Sequence, residues 1–139
     1  MELALNNGMK IHFRSYQDSD FIHIQALNRN EGWTNLADND EGTKGAWEHS
    51  NVKMVVCVEN EVVGYVRGLT DQHVTLYICE LAIKEAFRGM GIGRTLLRYV
   101  HGFYPDTRME LLASSRSRSY YEHLGFRAFY GYRKTFAEY

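Results

Sequence analysis

Three glycines alternate in the stretch EAFRGMGIGRTLLRYV, residues 85–100, at Gly89, Gly91 and Gly93, and an amphipathic run follows at once. Small residues let the main chain approach an anion closely. The first N–H groups of a helix point at that anion, and the helix dipole favours its negative charge. Arg88 or Arg94 adds a charge-assisted contact, so the loop suits a pyrophosphate held without Mg²⁺. A Walker loop is excluded, because Arg94 and Thr95 stand where Lys and Ser or Thr are needed and the four-residue gap between glycines is absent. A dinucleotide fingerprint is excluded too: counted from Gly89, Arg94 falls in the third glycine place, and the loop comes late in the chain. A kinase glycine loop joins two strands, whereas this one opens a helix. On the loop alone, a purely structural glycine turn stays open.

Other side chains narrow the chemistry. Cys57 and Cys79 lie in apolar, strand-like runs without metal-ligand spacing and read as buried free thiols of a reducing compartment. The six histidines are scattered, with no HExxH pair, so no metal site is expected. Glu80 interrupts the apolar run VTLYICELAI. Strict alternation puts it on one strand face with Val74, Leu76, Ile78 and Ala82, where an acid is out of place unless it works or pairs with an arginine.

These residues need elements to hold them. The chain has 139 residues, enough for one core, and a single domain over residues 1–139 is expected. Hydrophobic residues make up 45% and charged residues 24%, ordinary for a globular protein, and the net charge of −1 gives no lead toward nucleic acid or an anionic membrane. No apolar run is long enough for a membrane span. The start, MELALNNGMK, lacks a signal-peptide pattern, so a cytoplasmic protein is expected.

Alternation predicts a strand over residues 10–16, a helix over 18–29, a loop over 30–40 and a short helix over 41–51. Strands follow at 53–58, 62–69 and 74–83, the first two joined by a turn at residues 59–61. Ile92, Leu96, Val100 and Phe103 share one face of a helix over 91–103, which Pro105 follows. A strand over 108–113, a helix over 115–124 with Gly125 just past its end, and strands over 126–130 and 132–136 complete the series. The strands flanking the 91–103 helix need a crossover, so they lie parallel in an otherwise hairpin-linked sheet. The fold class is α/β, a mixed sheet with helices on its faces.

Two segments together, ELAIKEAFRGMGIG and SYYEHLGF, resemble the GNAT superfamily of N-acetyltransferases. The first matches that family's acetyl-CoA motif, Gln or Arg, then x-x-G-x-G or Ala. The second matches its later helix-and-turn motif, often F-Y-x-x-L-G-F. The order of elements agrees from residue 10 to 136. The pieces GWTNL and VVGYVRGLTDQHVTLYICELAI are similar to a branch of small bacterial acetyltransferases and to plant chloroplast serotonin N-acetyltransferases, in which an Asp follows the third strand, as Asp71 does here.

The resemblance implies the acyl-CoA N-acyltransferase fold, with about six to seven strands and about four helices on both faces. It implies acetyl-CoA as co-substrate and a primary amine, small-molecule or peptidyl, as acceptor. The pyrophosphate would lie on the backbone of Arg88, Gly89, Met90, Gly91, Ile92, Gly93 and Arg94, and the pantetheine arm and acetyl carbonyl on Leu81, Ala82 and Ile83. Ser114 stands near a family Asn or Asp that contacts pantetheine.

Tyr121 takes the general-acid position, with a core aromatic as the other reading, and Tyr120 the neighbouring Phe position. Glu80 and then Asp71 are candidates to receive the amine, against an ion pair and a plain turn aspartate. Trp33 and Tyr77 would wall the acceptor pocket or simply pack. Many such relatives dimerise, so a homodimer is an expectation. The competing class is a CoA-binding sensor without turnover, which would keep the loop but not need Tyr121 or Glu80.

Overall fold

Ile11 and Phe13 alternate with polar neighbours, and in the computed structural model, which describes residues 1–139, they sit fully inside on strand β2 (Lys10–Ser15). A short β1 (Glu2–Ala4) pairs with it, an element without a sequence signal of its own. Strands β3 (Val52–Val58) and β4 (Glu61–Thr70) form a tight hairpin, with Glu59 and Asn60 both at positive φ. That conformation matches the right-handed twist of the paired strands. Next come β5 (Thr75–Ile83) and, after a crossover, β6 (Arg108–Leu111). The sheet runs β1-β2-β3-β4-β5-β6, antiparallel throughout except for the parallel pair β5–β6.

Helix α4 (Ile92–Gly102) covers one face of the sheet, burying Ile92, Leu96, Leu97 and Val100 against Phe13, Val66, Leu76 and Ile78. Each such side chain contributes about 1.5–3 kcal/mol through burial. Helices α1 (Phe21–Glu31) and α3 (Asp40–His49) cover the other face, where Ile24, Leu27 and Trp47 meet Val55, Tyr65 and Ala82. No helix is long and apolar enough to cross a membrane.

Helix α1 ends on Gly32 at φ 76°, with the Gly32 N–H on the Arg29 carbonyl and the Trp33 N–H on the Asn28 carbonyl, a left-handed helix stop. The expected loop over 30–40 therefore contains the end of α1 and a further one-turn helix, α2 (Thr34–Ala37). A buried polar chain secures it. The Tyr65 hydroxyl donates to Asn28 Oδ1, Asn28 Nδ2 to Gln25 Oε1 (2.9 Å), and Gln25 Nε2 to the Leu36 carbonyl (2.9 Å) and Asp40 Oδ1 (2.7 Å). Buried polar groups need such partners, and the chain ties three helices to one strand.

Helix α5 (Arg118–His123) stops at Gly125, φ 92°, as expected. The two expected strands over 126–130 and 132–136 are not formed. Their aromatic alternation reads as strand, but no neighbouring strand takes up their hydrogen bonds.

Candidate active site

Strand β5 carries an extra residue. Arg67 pairs with Glu80 and Gly68 with Ile78, which leaves Cys79 as a bulge. A bulge shifts the side-chain alternation by one. Leu76 and Ile78 before it, and Leu81 and Ile83 after it, all pack on the α4 side, whereas Ala82 joins the core beneath α1 and α3. Glu80 thus does not share a face with Leu76 and Ile78, as strict alternation had it. It is turned to the opposite side, where Arg67 and Tyr77 stand beside it.

The bulge also opens the sheet. The parallel pairing of β5 with β6 ends at Ile78 and Leu111, but β5 continues to Ile83. The Lys84 N–H donates to the Val63 carbonyl at 2.7 Å. Antiparallel alternation then turns the main-chain groups of Ala82 toward Tyr65, and those of Leu81 and Ile83 away from β4 into the gap. Ile83's carbonyl accepts from Arg88 Nε at 2.8 Å.

The glycine loop lies directly past this gap. Gly89 and Gly91 have φ near 80°, and a side chain on either would meet open space, so their conformation and not packing calls for glycine. The first helical bond of α4 is Thr95 N–H to the Gly91 carbonyl, and no side chain caps the helix. The N–H groups of Ile92, Gly93 and Arg94 are left without partners, as at any uncapped helix start. A Cβ at Gly93 would meet the Tyr120 hydroxyl, the end of a side chain that would have to shift. Met90 is exposed and the Ile92 side chain is buried. Arg88 is committed elsewhere, to Ile83 and to Glu31 at the end of α1. The Arg94 side chain makes no ion pair or hydrogen bond and is the loop's free cation.

Tyr121 sits on α5 next to Tyr120, whose hydroxyl stands against Gly93. Its ring meets Phe126 at 5.5 Å and Tyr120 at 5.1 Å, both edge to face, and packs on the α4-side core. Its hydroxyl bonds to no protein group. Burial, with Tyr120 as the lesser cause, pushes its pKa up to about 12, so the hydroxyl keeps its proton at physiological pH. Ser114, exposed between β6 and α5, exchanges hydrogen bonds with Ser117 and accepts from the Arg118 N–H.

On the α1/α3 face, Arg67 clasps Glu80 through two nitrogens, Nε to Oε1 at 2.7 Å and a terminal nitrogen to Oε2 at 2.5 Å. Its other terminal nitrogen reaches Ser50 Oγ at 3.1 Å. The pair is only 12% and 14% exposed. Trp33 packs at the margin of the core that contains Ala82. Tyr77 and Cys79 adjoin the pair, and burial raises the pKa of each. Arg67 was not singled out from sequence. The available signal was one cation in the β4 run VVGYVRGL facing one anion in the β5 run. Removing one partner of such a pair costs about 3 kcal/mol. Arg67→Met should lose about that much in urea unfolding, and Arg67→Met with Glu80→Leu should recover most of it. A single variant as stable as the parent would show the pair to be idle.

Asp71 is not brought to this group. It lies in the β4–β5 turn, roughly 15 Å along the strand from Glu80 by strand rise. Its Oδ1 accepts the N–H groups of His73, Val74 and Thr75. Those bonds, Thr75 first, lower its pKa from 3.8 to about 2. The folded state prefers the anion, so this contribution is complete above pH 4 and is lost as pH falls toward 2. Asp71→Asn should flatten the acid-unfolding limb between those values. An unchanged limb would mean the turn does not need the anion.

The model of the acetyltransferase (GNAT) domain matches residues 50–128. Among solved structures, the chain aligns with a GNAT-family acetyltransferase of Streptococcus pneumoniae at a TM-score of 0.69 and 22% identity, over 84% of this chain and 86% of that one. It aligns with the SA2161 protein of meticillin-resistant Staphylococcus aureus at 0.73 and 14%, over 90% and 99%. It aligns with aminoglycoside N-acetyltransferase AAC(6')-Iy, solved in complex with CoA, at 0.70 and 15%, over 94% and 98%. At these identities the likeness establishes the fold. No curated protein matches the sequence.

Proposed function

The chain belongs to the GNAT acetyltransferase family, which uses acetyl-CoA, and from that premise we propose that it moves the acetyl group to a primary amine by direct attack in a ternary complex. The observation that carries this reading is the gap beside β5, past the Cys79 bulge, opening onto the unpaired N–H groups of α4.

Each part of acetyl-CoA has a counterpart there. The pantetheine amides pair with Leu81 and Ile83 as an added strand would, and Ala82, bonded to Tyr65, holds the two in register. A main-chain N–H of this edge, Leu81 first, stabilises the oxyanion of the tetrahedral intermediate. The pyrophosphate rests on the main chain from Arg88 to Arg94, helped by the free Arg94 side chain. Ser114, which follows β6, is the candidate side chain to meet the pantetheine arm from that strand. Tyr121 donates a hydrogen bond to the departing sulfur. A phenol near 12 is a weaker acid than a thiol near 8.5, and full transfer would be uphill by about 5 kcal/mol. The hydroxyl thus steadies the developing thiolate without being consumed by it.

The amine must lose a proton. With a pKa near 10.4, exposing its lone pair at pH 7 costs about 4.6 kcal/mol. Glu80, oriented by Arg67, attracts the ammonium through its remaining lone pairs and takes up the proton by way of water. Trp33 and Tyr77 flank the approach. Asp71 fastens its turn and stays outside the site.

Burial raises the pKa of both the Cys57 and the Cys79 thiol, the opposite of an activated nucleophile, which favours direct attack over an acetyl-enzyme. Initial rates at several fixed amine concentrations test this. Intersecting double-reciprocal lines are expected, and parallel lines would place the acetyl group on the protein and overturn the proposal.

A further inference from the structure

Glu31 is the last residue of α1, at the helix end whose dipole disfavours an anion. Its side chain is nonetheless only 23% exposed, and it is paired with Arg88 from the far end of β5. Arg88 spans two partners. Its Nε donates to the Ile83 carbonyl at 2.8 Å, and a terminal nitrogen donates to the Glu31 carboxylate. The end of α1, the end of β5 and the residue before Gly89 are thereby tied by one guanidinium.

The loop that follows has little else to hold it. Upstream, the Arg88 N–H donates to the Glu85 carbonyl at 3.1 Å, and downstream the Gly91 carbonyl accepts from the Thr95 N–H at 3.0 Å. Between them, Gly89 and Met90 make no hydrogen bond to the protein. Gly89 and Gly91 stand at φ near 80° with open space around them. Glycine loses more conformational freedom on ordering than any other residue, and a ligand that must order its own site loses affinity. The Arg88 side chain is the only one among residues 88–91 that hydrogen-bonds the loop to the body.

We propose that Glu31 is a positioning residue for acetyl-CoA, an inference that rests on the acetyltransferase reading above. Glu31 holds the Arg88 guanidinium across the ends of α1 and β5, and so sets the loop before the diphosphate arrives. The Ile83 carbonyl belongs to the main-chain groups turned toward the gap, so the same strut fixes the loop against the strand that carries the pantetheine arm. Arg88 gives its charge to Glu31, and Arg94 is left to face the diphosphate.

Titration calorimetry with acetyl-CoA tests this without an amine. Glu31→Gln should weaken binding about fivefold, the upper end for a partly exposed ion pair, and Arg88→Met about tenfold, since a charged bond to a main-chain oxygen goes too. The double variant should bind like Arg88→Met alone, because Glu31 acts only through Arg88. Arg88→Lys should recover little, as one ammonium lacks the fork that spans both partners. Melting temperatures should move by no more than about 4 °C. Additive losses in the double variant overturn the proposal. Full affinity in Arg88→Lys also overturns it, since charge alone would then suffice. A parent that binds acetyl-CoA while Glu31→Gln binds equally or more tightly overturns the inference alone. A parent that does not bind acetyl-CoA overturns the acetyltransferase reading, and the inference with it.

Discussion

Gly91→Val should weaken acetyl-CoA binding at least 30-fold by titration calorimetry. Gly91 stands at φ 80° as the residue preceding α4, with open space where its Cβ would be. Valine thus meets no clash in the free protein. It meets two other costs. A left-handed conformation costs an ordinary residue about 1–2 kcal/mol, which should appear as lost stability. A branched side chain also stands where the proposed site brings a diphosphate within hydrogen-bond distance of N–H groups, and a bond to a charged group is worth about 1.5–3 kcal/mol. Gly91→Asn separates these costs. Asparagine tolerates the left-handed region, so folding should be nearly intact while affinity still falls. Unchanged affinity in both variants would remove the pyrophosphate from this loop.

Tyr121→Phe should lower kcat about 100-fold, the scale of a lost hydrogen bond to a charged group, and leave acetyl-CoA affinity near the parent value. The hydroxyl bonds to nothing in the protein, so its removal strands no partner and the melting temperature should barely move. The pH profile adds a check. A phenol held near 12 keeps its proton throughout the usual assay range, so the parent enzyme should show no alkaline loss from this group below about pH 10. Tyr120→Phe removes the hydroxyl that faces Gly93 and should cost far less. A large loss in Tyr120→Phe with none in Tyr121→Phe would exchange their roles.

Much of the arrangement was legible because it is local. The glycine spacing, the apolar stripe of α4, the Glu59–Asn60 turn and the Gly125 stop are each written within one helix, one turn or one hairpin. The bulge was not legible, because an extra residue is defined only against the strand it pairs with, and one residue reverses the face of Glu80. Its partner Arg67 lies thirteen positions away across that bulge. Helix α2 is a single turn, too short to show a period, and is held by Gln25 and Thr43 from its neighbours. The aromatic C-terminal run has the pattern of strands but lacks a partner within one chain, which no pattern in the run itself reveals.

The most direct measurement follows free thiol while the protein is incubated with acetyl-CoA and a panel of primary amines spanning small molecules, polyamines, amino acids and peptides, with mass spectrometry of the amines. Thiol release that requires an amine, matched mole for mole by its N-acetyl product and lost in Tyr121→Phe, is the expected result. Tight acetyl-CoA binding with no turnover on any class of amine would contradict it and make the protein a coenzyme A sensor.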